Sequence, residues 1–161
     1  MIAERDTRDA IVRELTDLLN GGHAHATLEN AVKGLPVKYR GIKPEGLPYS
    51  IWQLVEHIRI AQCDILEFSK NPGYKSPVWP DDYWPSSAAP ADEATWKSSL
   101  RQVKNDLKEF ISLLENPAND LYTPFAHGEG QNLLREALLI ADHTSYHVGQ
   151  IIVIRRILGI W

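Results

Sequence analysis

Residues 132–158 read NLLREALLIADHTSYHVGQIIVIRRIL, and this stretch decides the fold. Apolar side chains recur in it at three- and four-residue steps over about seven helical turns. No proline interrupts the pattern, and Gly159 follows at the point where a helix would stop. Working outward, a second periodic segment carries Trp96, Leu100, Val103, Leu107, Phe110, Ile111 and Leu114 on one face. Asp92 lies near its start, and its end is expected at about Glu115, shortly before Pro117. The loop between the two carries His127, Gly128 and Gly130.

Further upstream, Ser50 and Gln53 match the capping-box pattern, in which each side chain bonds the other residue's free backbone N–H. They predict a helix running to about Phe68, with Ile51, Leu54, Val55, Ile58, Ala61, Gln62 and Ile65 along one side. A first helix is predicted from Arg5 to Leu19 through Ile11, Val12, Leu15, Leu18 and Leu19, ended by Gly21 and Gly22. Thr27 to Lys33, bounded by Gly34 and Pro36, reads as one or two turns inside a connection. Four long helices without a strand predict an all-α fold, an antiparallel four-helix bundle in one domain over residues 1–161. The connections between helices 1 and 2 and between helices 2 and 3 exceed the usual bundle turn and leave topologies other than up-and-down open. Residues 71–90 hold half of the chain's prolines, a density no helix sustains, interleaved with Tyr74, Trp79, Tyr83 and Trp84.

Composition narrows the function. With 21 acidic against 17 basic residues the net charge is −4, so phosphate backbones are not attracted and only Arg155-Arg156 hints at a basic patch. Nucleic acid is not expected as a partner. Cys63 stands alone, which excludes a disulfide framework. Met1 to Asp9 lacks the basic start and apolar run of a secretory leader, and no apolar run reaches membrane length. A cytoplasmic location with no membrane partner is expected.

His143 and His147 are four residues apart on the last helix, about 40° apart in projection and one turn above each other. Ile140, Ile151 and Ile154 flank them, and Ala137, Ala141, Thr144 and Val148 continue the apolar face, so the imidazoles sit at the margin of the buried side. This spacing is a natural chelate, although buried or capping histidines share it and Thr144 stands where zinc proteases carry glutamate. His57 occupies a comparable edge of the second helix, with Leu54 and Ala61 on its buried side. If the two helices are neighbours, three imidazoles can meet around one divalent ion and leave a position open for water or substrate.

Asp64, two turns beyond His57, reads either as a solvated or salt-bridged helix-edge carboxylate, or as the acceptor that fixes a histidine ring or a base acting on metal-bound water. Asp142 points about 100° away from His143 and serves solvent or a neighbouring helix. His23 and His25 read as exposed residues near a helix end, His127 as a loop residue, and Cys63 as a small buried side chain. Tyr74, Trp79, Tyr83 and Trp84 read as packing that anchors a long loop, or as an aromatic wall over a metal pocket.

Residues 142–150, DHTSYHVGQ, followed by RRILGIW at 155–161, resemble the last helix of the DinB-like family of damage-inducible, four-helix-bundle metalloenzymes. SIWQLVEHIR at 50–59 is similar to that family's second helix, and WPDDYWP at 79–85 to a loop found in some members. The resemblance covers nearly the whole chain. It implies a three-histidine divalent metal site, nickel or zinc, at His57, His143 and His147, and a homodimer. It also implies chemistry of the kind seen in members that are transferases and isomerases dependent on low-molecular-weight thiols. The expected function is a metal-dependent hydrolase or small-thiol-dependent transferase acting on a small-molecule substrate. The alternatives are a non-enzymatic metal-binding stress-response protein and a helical dimerisation module whose histidines are structural.

Overall fold

The computed structural model describes residues 2–21 and 24–161, with side chains from residue 7 onward. Helix α1 spans Ile2–Leu19, α2 Leu28–Val32, α3 Ile51–Lys70, α4 Glu93–Glu115 and α5 Leu133–Ile157, with no strand among the described residues. Four long helices pack together, as the periodicity predicts. The starts follow from local chemistry: Asp92 accepts a hydrogen bond from the Thr95 N–H (2.7 Å) and Asn132 from that of Arg135 (2.9 Å). At Ser50 the hydroxyl accepts from Gln53 N–H (3.1 Å) and the Gln53 amide oxygen from Ser50 N–H (3.3 Å), completing the capping box. Helix α5 stops at Gly159, whose φ of +67° is a left-handed conformation that a Cβ would strain. Helix α3 continues two residues past Phe68, and α1 starts three before Arg5. Gly22 lies outside the described residues.

The directions of the helices depart from a plain antiparallel bundle. Trp52 meets Trp96 (ring centroids 6.2 Å apart), Gln62 Nε2 donates to the Val103 carbonyl (2.6 Å), and Lys70 pairs with Glu109 (2.7 Å). Positions therefore rise together along α3 and α4, and the two helices run parallel. Arg8 near the start of α1 donates to the carbonyls of Leu114 and Asn116 at the end of α4 (both 2.9 Å), so those two are antiparallel. Helix α3 packs on α4 and α5, while α1 packs on the same two from the opposite corner.

Parallel neighbours explain the long second connection. Helix α3 is 20 residues long, so the chain must travel back about 30 Å before α4 can begin. Residues 71–92 do this as a strap laid antiparallel along α3. The Tyr83 hydroxyl donates to Asp64 (2.6 Å), Gln53 Nε2 donates to the Pro85 carbonyl (3.1 Å), and Ser50 Oγ donates to the Ala88 carbonyl (2.5 Å). Gly41 lets the preceding loop approach the strap, since a Cβ there would sit 2.5 Å from that of Ala89. Covered by the strap as well as by two helices, α3 buries Trp52, Gln53, Glu56 and His57 in addition to the predicted apolar side.

The core has two parts. At one end Ile51, Leu54, Val55 and Ile58 pack with Trp96, Val148 and Ile151; at the other Leu66, Phe110, Leu114 and Leu121 pack with Leu133, Ala137 and Ile140. No helix is long and apolar enough to cross a membrane among the described residues.

Candidate metal centre

The capping box sets where α3 begins, and therefore which way its seventh residue, His57, points. Helix α5 runs antiparallel to α3, and its i,i+4 pair arrives opposite that position. The three rings converge, with centroids 4.8 Å (His57 to His143), 4.6 Å (His57 to His147) and 4.5 Å (His143 to His147) apart. Their candidate ligand atoms all lie within 4.8 Å of one another. His57 and His147 are buried and His143 is half-buried. His143 Nε2 is 3.0 Å from His57 Nε2. Two nitrogens bound at about 2.0–2.1 Å to a shared ion lie about 3–3.4 Å apart, so little movement separates this arrangement from a coordinated one.

The outward nitrogens are already engaged. His57 Nδ1 lies 2.9 Å from the Tyr83 carbonyl and must donate to it, which leaves Nε2 as a lone pair facing the cluster. His147 Nδ1 bonds Gln150 Oε1 at 2.7 Å, with the same consequence. A metal-ligating histidine needs this from its other nitrogen: an acceptor that fixes tautomer and ring orientation. Trp84 stacks flat on His57 (3.8 Å, 4°) and Tyr49 on Trp84 (3.9 Å, 7°), so a three-ring pile holds the imidazole plane.

Electrostatics favour the neutral, ligating form. Burial pushes His57 below the ordinary histidine value, outweighing the upward pull of the Tyr83 carbonyl. Burial likewise lowers His147 against the opposing bond from Gln150. His143 is pushed down to about 4, by burial first and then by its two histidine neighbours. Folded-state values below the unfolded value of 6.5 mean that the unfolded chain binds protons more readily. Stability should therefore hold at its high-pH level above about pH 6.5 and fall as the pH drops toward about 4. Bound metal should be lost in the same direction, because protons compete for the same lone pairs. Thermal melts and metal retention followed from pH 8 to pH 4 check this; flat profiles across that window would contradict it.

The other residues singled out by sequence fall into place differently. Asp64 reaches no histidine ring: its carboxylate accepts from the Tyr83 hydroxyl, and it is in no ion pair among the described residues. Seven residues from His57 is a rise of about 10 Å, too far for its short side chain. The acceptor role in one of its two readings belongs to the Tyr83 carbonyl, and Asp64 anchors the same tyrosine from its other end. Asp142 is exposed, as expected. Cys63 is half-buried and free, and burial followed by the Asp106 charge pushes its thiol up, away from nucleophilic character. His25 is exposed, while His127 is half-buried and donates from Nε2 to the Phe68 carbonyl (2.8 Å). His23 lies outside the described residues.

Sequence reasoning missed the residues that orient the rings. Gln150 stands three residues after His147, a helical neighbour spacing that carries the signal. Tyr83 acts through its backbone carbonyl, for which residue type gives no signal. Trp84 and Tyr83 belong to the aromatic group already noted in the proline-rich segment. Another member, Trp79, is 67% exposed with its ring 6.4 Å from His57.

No curated protein and no solved structure gives a significant match to the chain. The sequence model of the DinB superfamily matches residues 22–151, a span that contains all three converging histidines and the strap between them. With that match over most of its length and a buried three-histidine cluster in a helical bundle, the chain belongs to the DinB superfamily.

Proposed function

We propose that His57, His143 and His147 hold one divalent transition metal, nickel or zinc, through their Nε2 atoms, and that the protein is a metal-dependent hydrolase or small-thiol transferase. The observation that supports this most is the engagement of Nδ1 of His57 by the Tyr83 carbonyl and of His147 by Gln150, which leaves both Nε2 lone pairs available, that of His57 3.0 Å from His143 Nε2. When bound, the ion supplies a Lewis acid that lowers the pKa of a water or a low-molecular-weight thiol at a position the three histidines leave open. The chain's own part is to hold the three rings and to shape the approach. Trp79, 67% exposed, flanks His57 from the strap, with ring centroids 6.4 Å apart. It offers an apolar wall to the unreacting part of a small-molecule substrate. A cytoplasmic setting fits the single free cysteine and the absence of a membrane-length helix among the described residues.

The test is metal analysis of untagged protein, followed by ester hydrolysis and thiol transfer assays on the metal-stripped and reloaded chain. About one equivalent per chain, with turnover lost on stripping and restored on reloading, supports the reading. Metal without turnover moves the weight to a non-enzymatic metal-binding role.

A second part of the reading concerns self-association. Leu139, Tyr146 and Val153 lie at seven-residue steps on the outer side of α5, joined by Ile157, and all are exposed. A heptad of apolar residues is the pattern by which two helices pack together. Gly149, between Tyr146 and Val153, has open space beside it that a second helix could approach. This stripe serves a homodimer through α5. Val153→Asp should convert a dimer to a monomer in analytical ultracentrifugation, and unchanged sedimentation of the variant would rule the seam out.

A further inference from the structure

A second cavity lies on another side of α5 from the histidines. It measures about 490 Å³, opens to solvent, and is lined by the end of α1, the connection that follows it, α2, Gln62 of α3, and the middles of α4 and α5. Packed protein interiors contain few voids larger than a water molecule, and small-molecule sites typically run from about 300 to 1,000 Å³. Leu28, Val32, Leu107, Ile140 and Val148 form most of its wall, with Leu18 at the edge, and Gln62, Thr144, Ser145 and His25 add polar atoms to it. A mostly apolar lining of this size is suited to an occupant with an apolar body. Thr144 and Val148 line it, each one residue after a clustered histidine and turned about 100° around the helix axis. The two sites thus share α5 but not its face.

The charges at the opening are unequal. Arg101 and Lys104, three residues apart on α4, are both exposed and form no ion pair among the described residues. Against these two cations the lining holds one carboxylate, Glu29. An apolar interior with a cationic lip is complementary to a molecule that has an apolar body and one anionic end.

We propose that this cavity is a binding site for a free organic carboxylate with an aliphatic body of medium length. The apolar body occupies the space between Leu28, Val32, Ile140 and Val148, and the carboxylate meets Arg101 and Lys104 at the opening. The site is independent of the metal centre.

The experiment titrates the protein calorimetrically with decanoate and decyltrimethylammonium below their micelle concentrations and with 1-decanol below its solubility limit. Decanoate should saturate one site per chain and bind at least about tenfold tighter than either of the others. The double variant Arg101→Glu/Lys104→Glu, on exposed positions, should remove that preference while decanol binding stays as in the parent. Leu18→Trp, at an edge position that is 42% exposed, should weaken all three ligands by narrowing the mouth. Metal content should be the same in parent and variants. Absence of saturable decanoate binding, equal affinity for the three ligands, or an unchanged preference in the double variant would each overturn the proposal.

Discussion

Replacing His143 with alanine is expected to drop metal content from about one equivalent per chain to background, with affinity falling by more than about 100-fold. Two imidazoles would remain, and they can no longer enclose an ion. The apo fold should scarcely notice. His143 is half-buried at the edge of the core, and its one polar partner is His57 Nε2. The depressed value of about 4 shows that the fold gains nothing from charging this ring. His57→Ala makes a contrasting case, because that side chain is 2% exposed, stacked on Trp84 and bonded to the Tyr83 carbonyl. It should lose the metal and also about 1–3 kcal/mol of apo stability, since a buried carbonyl is left without a donor. Elemental analysis paired with chemical denaturation of the stripped proteins separates the two effects. Parent-level metal in His143→Ala would show that the three rings do not act together.

The largest stability effect should come from Arg155→Met, at about 3–5 kcal/mol. The Arg155 guanidinium is buried and donates to the carbonyls of Ala31 (2.7 Å), Lys33 (3.0 Å) and Ile160 (2.9 Å), while lying 4.9 Å from the centre of the Trp161 ring. It closes the end of α2 and the final turn of the chain onto α5. Methionine fills similar space with no donor, so three carbonyls lose a charge-assisted partner at once. Urea unfolding of parent and variant measures the difference, and a change below about 1 kcal/mol would show that water replaces the lost donor without penalty.

Much of this was legible in the sequence, and what was not has a physical reason. The helices announced themselves through apolar steps of three and four and through the start signals at Ser50 and Asp92, because those signals are local. The pair at His143 and His147 could be read from spacing, and His57 from its place at the edge of an apolar face. The parallel course of α3 and α4 could not be read, since a proline-rich strap has no periodicity to reveal where it lies. For the same reason the burial of Glu56 and Gln53 was invisible: polar side chains covered by a loop look like solvent-facing ones. Of the two readings of Asp64, the one as a histidine partner followed from a shared helical stripe, but a stripe gives direction and not reach.

The strap's hold on α3 separates two properties that binding sites often find hard to change independently. At Tyr83, Pro85 and Ala88 the atoms that accept from His57, Gln53 and Ser50 are main-chain carbonyls, which every amino acid supplies. Apart from Trp84, which keeps its stack on the imidazole, exposed side chains along the same segment, Trp79 among them, are therefore released from the task of fixing the ring and can be exchanged with less consequence for its aim. Selection could retune which molecules are admitted beside the histidines by altering the outward residues of one loop. The geometry of ligation would be inherited unchanged through the backbone.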